Sequence, residues 1–147
     1  MPRDIARASA ALAELPSRPR LVCRDMRDTA FEPCDVAVVL DVLHYVDMAA
    51  QDDVLARIRL ALRPAGRLLL RVGDPAQAAR FWFGRWVDHA VTLARGHHEP
   101  PTAWRSLADW QAALQRLGFS VRTLPMSRGT PFANMLLVCD LERGASR

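Results

Sequence analysis

The chain has 147 residues, half of them apolar, enough for one sizeable core and a single domain. Its net charge of +4 rests on arginine alone, since no lysine occurs, and Arg57, Arg59, Arg63, Arg67 and Arg71 are scattered rather than blocked. That spread reads as a solvated surface and argues against a nucleic-acid footprint, while no apolar run approaches the roughly 18 residues of a membrane span.

In chain order, Ile5, Ala8, Leu12 and Leu15 recur at helical spacing, so residues 3 to 15 should form an amphipathic helix stopped by Pro16. Arg20 to Arg24 (RLVCR) reads as a short strand ending at Asp25. A second strand, 35 to 40, lies in CDVAVVLDVLHYV, where an apolar run meets Asp41 and is followed by His44 and Tyr45. Asp47 can cap a helix from about 48 to 62 whose inner face carries Val54, Leu55, Ile58 and Leu62. Pro64 and Gly66 end it, and RLLLRV, 67 to 72, is another apolar strand.

Residues 75 to 95 read as a long helix opening at Pro75, with GHHEPPT, 96 to 102, as a loop. Ser106 and Asp109 form a capping box for a further helix closing at Gly118. FSVRTL from 119 and MLLVCDL from 135 are the last strands, joined by SRGTPFAN. A domain over 1–141 and a disordered tail over 142–147 are expected.

Strand and helix alternate in the α/β manner, and continuous apolar strands suit a sheet buried on both faces. Ligands of such sheets sit beyond the strand carboxyl ends. Asp25, Asp41 and Arg71-Val72-Gly73-Asp74 should therefore line one crevice, with His44 and Tyr45 on its rim. Cys23, Cys34 and Cys139 show no CxxC spacing, which points to a reducing compartment. With no signal-peptide hydrophobic region, the expected location is cytoplasmic.

RDMRD (24–28), CDVAVVLDVLHYVD (34–47) and LRPAGRLLLRV (62–72), in that order, resemble the second half of a class I S-adenosylmethionine-dependent methyltransferase. The resemblance implies a Rossmann-like sheet closed by a C-terminal antiparallel strand pair, S-adenosylmethionine as cofactor and a small-molecule acceptor. By position, Asp25 would accept from the adenine amino group and Met26 would flank the ring. Leu40 and Asp41 would lie beside the methionine part, and His44 would be the general base, a task that suits a pKa near 6.5.

The family's first strand and glycine-rich turn have no counterpart, since no GxG occurs. An N-terminally truncated sheet is the expectation, from a truncated gene, a misassigned start or a split protein. Strand 35–40 would then be a sheet edge, open to a homodimer or an N-terminal partner. Ala65 stands where the family has the first glycine of a pair.

Other readings stay open. Asp41 also suits a turn cap and His44 a surface position at a helix start. The chain also suits a non-catalytic remnant, or a nucleotide-sugar or NAD enzyme fragment. Phe81, Trp82 and Trp86 suit a core or a lid over the acceptor. His97, His98 and Glu99 lack metal-ligand spacing, so no metal is expected. Cys34 precedes its strand and lies away from the crevice, and Arg128 and Asn134 suit turn chemistry as well as acceptor contact.

Overall fold

A computed structural model describes residues 2–17, 19–76, 86, 103–130 and 132–141. They fall into two compact units, Met1–Ala30 and Phe31–Arg147.

The first unit opens with helix α1 over Pro2–Ala11. It stops short of residue 15 because its last turn breaks into tighter bonds, Ala13 to Ala10 and Leu15 to Leu12, ahead of Pro16. The expected strand at 20–24 does not form: residues 19–23 have no regular structure, and Val22 is exposed. A strand needs a ladder partner, and among the described residues of this unit no strand supplies one. Asp25 consequently heads a turn rather than ending a strand, with the Asp28 amide donating to its carbonyl at 3.2 Å.

The second unit holds β1 (Cys34–Leu40), a 3-10 turn over Leu43–Tyr45, α2 (Met48–Ala61), β2 (Leu62–Gly73), α3 (Leu107–Arg116), β3 (Phe119–Pro125) and β4 (Asn134–Leu141). The sheet order is β1-β2-β4-β3, with β1 and β2 parallel and the other pairs antiparallel. This is the expected α/β sheet with its antiparallel closing pair. The caps explain the helices. Asp47 accepts from the Ala50 amide at 2.8 Å, and Ser106 Oγ accepts from the Asp109 amide at 3.1 Å.

The core lies on one face of the sheet. Leu68 and Leu70 of β2 stand beside Cys139 and Leu137 of β4, all buried together with Val54, Leu55 and Ile58 of α2 and Trp110 and Leu114 of α3. Arg59 of α2 donates to the Leu117 carbonyl at the end of α3. Burial pushes the Cys139 thiol up to about 12, so it stays a neutral apolar filler.

β1 departs from the two-face burial that its apolar run suggests. It is an edge strand, and Val36, Val38 and Leu40, on one face, are 52%, 58% and 44% exposed. The expected helix at 75–95, the loop at 96–102 and the tail at 142–147 lie outside the described residues, except that Asp74 to Ala76 form a turn and Trp86 is helical and exposed. Among the described residues no helix is long and apolar enough to cross a membrane.

The α2–β2 joint is tight. Ala65 sits at φ 61°, the left-handed region that glycine tolerates and alanine does not. A side chain on Gly66 would meet the Arg63 carbonyl at 2.8 Å and the Asp35 carbonyl at 3.2 Å. We therefore expect Ala65→Gly to stabilise the chain by about 1 kcal/mol and Gly66→Ala to destabilise it by about 2 kcal/mol, measured by urea unfolding.

Candidate functional site

β1 ends on a charge because β2 provides its counter-charge. Leu40 pairs with Arg71 in the parallel ladder, and Asp41 then turns out of the strand at φ 53°, a conformation aspartate reaches more readily than most residues. Its amide donates to the Arg71 carbonyl at 3.3 Å, and its carboxylate takes both Nε, at 2.8 Å, and a terminal nitrogen of the Arg71 guanidinium. Asp41 and the 71–74 segment thus meet at the strand ends as expected, but the carboxylate is an ion-pair member and not a free acceptor. Asp74, also buried, accepts from the Ala76 amide at 3.0 Å, and its own amide donates to the Ala133 carbonyl.

The chain then tightens into the 43–45 turn, which buries Leu43 and His44. The imidazole lies against Trp104, ring centroids 4.7 Å apart and planes 8° from parallel, with the Tyr45 ring 4.2 Å away and tilted. Burial lowers the His44 pKa to about 4, against a smaller upward pull from Asp41. His44 is therefore not the exposed rim residue that its place in the sequence suggested. It lines a cleft with Arg71, Val72, Trp104 and Trp110 whose free volume is only about 10 Å³, room for no more than one water.

Two residues of this wall, Trp104 and Arg105, and one bonded behind it, Gln51, escaped the sequence reading. Gln51 donates from its side chain to the carbonyls of Leu43, Val46 and Ala103. Arg105, almost wholly buried, donates to the Met48 carbonyl at 3.0 Å, pairs with Asp52 at 2.8 Å and lies over the Trp110 ring. Trp104, in the segment before α3, gave no signal at all. Gln51 did give one, a polar residue at an inner position of α2, three and four before Val54 and Leu55.

Asp25 and Met26 belong to the first unit and are described there alone. The Asp25 carboxylate accepts the Arg27 amide at 2.8 Å and is gripped by its guanidinium at 2.7 to 3.1 Å. Those bonds hold its pKa down at about 2, so it is an ionised acceptor throughout the neutral range. This acceptor fits an adenine amino group chemically, provided Arg27 yields one of its bonds. Asp41 fits as a strand-end turn and not as a free acceptor.

The remaining candidates are simpler. His97, His98, Glu99, Phe81 and Trp82 lie outside the described residues, and among the described residues no cluster could hold a metal ion. Cys34 is half-buried at the amino end of β1. Around Arg128 and Asn134 the loop shows turn bonds: Met126 amide and Ser127 Oγ to the Asn134 carbonyl, and Thr130 to Ser127.

His44 links stability to pH. The folded state resists a proton that the unfolded chain takes up near the ordinary pKa of 6.5. The contribution is favourable above that value and is lost as pH falls toward 4. Between pH 7 and 5 we expect a loss of about 2 kcal/mol in urea unfolding that His44→Phe largely abolishes. Asp25 acts only at lower pH, where its contribution, present above 3.8, is lost as pH falls through 2.

Residues 2–70 match the family described as a methyltransferase domain. Among solved structures, the fold resembles that of LaPhzM (TM-score 0.67, 21% identity, 96% of this chain and 41% of that one). An O-methyltransferase family protein from Burkholderia thailandensis gives a TM-score of 0.68 at 20% identity, over 97% of this chain and 41% of that one. N,N-8-amino-8-demethyl-D-riboflavin dimethyltransferase (RosA) from Streptomyces davawensis gives 0.65 at 25% identity, over 93% and 39%. This chain thus spans about two fifths of the length of these proteins. No curated protein matches its sequence. The family match covers residues 2–70, a little under half of the chain, and the likeness to the solved structures over nearly all of it is one of fold.

Proposed function

We propose that the chain is the part of an S-adenosylmethionine-dependent methyltransferase that carries the acceptor-side base, acting on a small molecule. The observation that carries this reading is the position of His44, one short turn beyond the β1 carboxyl end and packed against Trp104. Ligands of parallel sheets sit at that end of the strands. Among the structural neighbours, one is described as mitomycin 7-O-methyltransferase and another as magnesium protoporphyrin IX methyltransferase with bound SAM. Both act on small organic molecules.

When bound, S-adenosylmethionine supplies a methyl group on a sulfonium sulfur, which leaves as a neutral thioether. The chain has three tasks around that event. Asp25, with the Met26 backbone, would take the adenine end, and Leu40 with Asp41 would take the methionine end. His44 is neutral at pH 7 and so has a ring nitrogen able to accept the proton of an acceptor hydroxyl or amine. The stack on Trp104 keeps water from one face of that ring, which favours a positioned acceptor over solvent.

A second reading has its own support. β1 is an edge strand with three exposed apolar residues on one face, a surface that invites pairing with another chain. On that reading the chain is an interaction module, with a second copy or an N-terminal partner completing the sheet before cofactor is held.

Calorimetric titration of the 147-residue chain with S-adenosylhomocysteine separates the two. We expect saturable binding that falls at least tenfold in Asp25→Ala, a loss of about 1.4 kcal/mol or more. His44→Gln should keep that binding and lose turnover by about 100-fold. A folded chain that gives no heat supports the interaction module.

A further inference from the structure

Gln51 is fully buried, and a carboxamide in an apolar core is costly unless its hydrogen bonds are made. Three carbonyls converge on its Nε2: Leu43 at 3.1 Å, Val46 at 3.1 Å and Ala103 at 3.2 Å. All three are acceptors, so only the NH2 end of the side chain can face them. Its Oε1 accepts no bond among the described residues. An apolar residue would fill the inner face of α2 as Val54 and Leu55 do, so the position uses glutamine for its donors.

The carbonyls belong to two segments, and each segment carries one ring of the stack. Leu43 and Val46 bracket His44, while Ala103 precedes Trp104. Arg105 also ties the Trp104 segment down, but to Met48 and Asp52 of α2 and not to the histidine turn. Gln51 alone among the described side chains bonds both segments.

We propose that Gln51 is a positioning residue for His44, locking the 43–46 turn to the 103–105 segment so that the Trp104 indole covers one face of the imidazole. The inference rests on the reading of His44 as the base. Held this way, the ring can turn only its edge to an acceptor, and the proton leaves along one direction. The charged groups facing the histidine are Asp41 of β1's end, Arg71 of β2 and Arg105 of the pre-α3 segment, and a change at Gln51 alters none of them.

The test is an NMR titration of the His44 ring in the full chain, assigned with His44→Ala. Gln51→Leu keeps the volume and removes the donors. With the stack loosened, water reaches the imidazole, and its midpoint should rise by about one unit or more toward 6.5. Leu114→Ala, a core change on α3 that touches neither ring bond, should destabilise the chain and leave the midpoint in place. A Gln51→Leu midpoint equal to the wild type, or an equal rise in Leu114→Ala, overturns the proposal. Should Gln51→Leu not fold, Gln51→Asn, with the donors one methylene short, is read by the same criterion. Failure of the methyl-transfer reading would appear instead as no binding of S-adenosylhomocysteine, which leaves this titration unaffected.

Discussion

The parallel ladder between β1 and β2 fixes the position of every residue at the site's sheet end. Leu40 opposite Arg71 sets where β1 stops, and that register puts a guanidinium where Asp41 leaves the strand. The turn that follows is too short to wander, so His44 arrives under Trp104 with little conformational choice. α2, capped by Asp47, carries the chain back, and the strained joint at Ala65 and Gly66 sets the start of β2 close against Asp35. A slip of one residue in this ladder would send Arg71 to the other face of the sheet and leave Asp41 without its partner.

The electrostatics follow from a composition in which arginine is the sole basic chain of any length. Asp25, Asp35, Asp41, Asp52 and Asp140 are held by Arg27, Arg63, Arg71, Arg105 and Arg67 respectively. A guanidinium fork fixes the orientation of a carboxylate in a way an ammonium does not. The Asp41 carboxylate at the end of β1 is therefore an oriented, ion-paired group.

What was legible in the sequence was what local physics decides. Asp47, Ser106 with Asp109, and Gly118 announce helix ends by bonds within a few residues, and α2 and α3 fall where those signals put them. The strand expected at 20–24 had a strand's composition but no neighbour, and neighbours are not written locally. The same gap hid the site's true character. Asp41 could be read as a strand end, but not that Arg71, thirty residues on, occupies its carboxylate. Nor could His44 be read as buried, since the residue that covers it lies sixty positions away. Gln51 was visible as a polar break in an apolar face, a signal that periodicity counts pass over because they score only the apolar positions.

The sheet order carries a consequence for biosynthesis. β2 is a central strand, yet its second neighbour, β4, is the last of the described strands. As the polypeptide leaves the ribosome, β1, α2 and β2 can close a short local loop at once, whereas the other edge of β2 waits until residues 134–141 have been translated. For that interval Leu68 and Leu70, destined to be wholly buried, lack half their covering. Between the synthesis of Gly73 and that of Asn134 the nascent chain thus holds a strand with one edge unsaturated, the kind of exposed surface that chaperones shield.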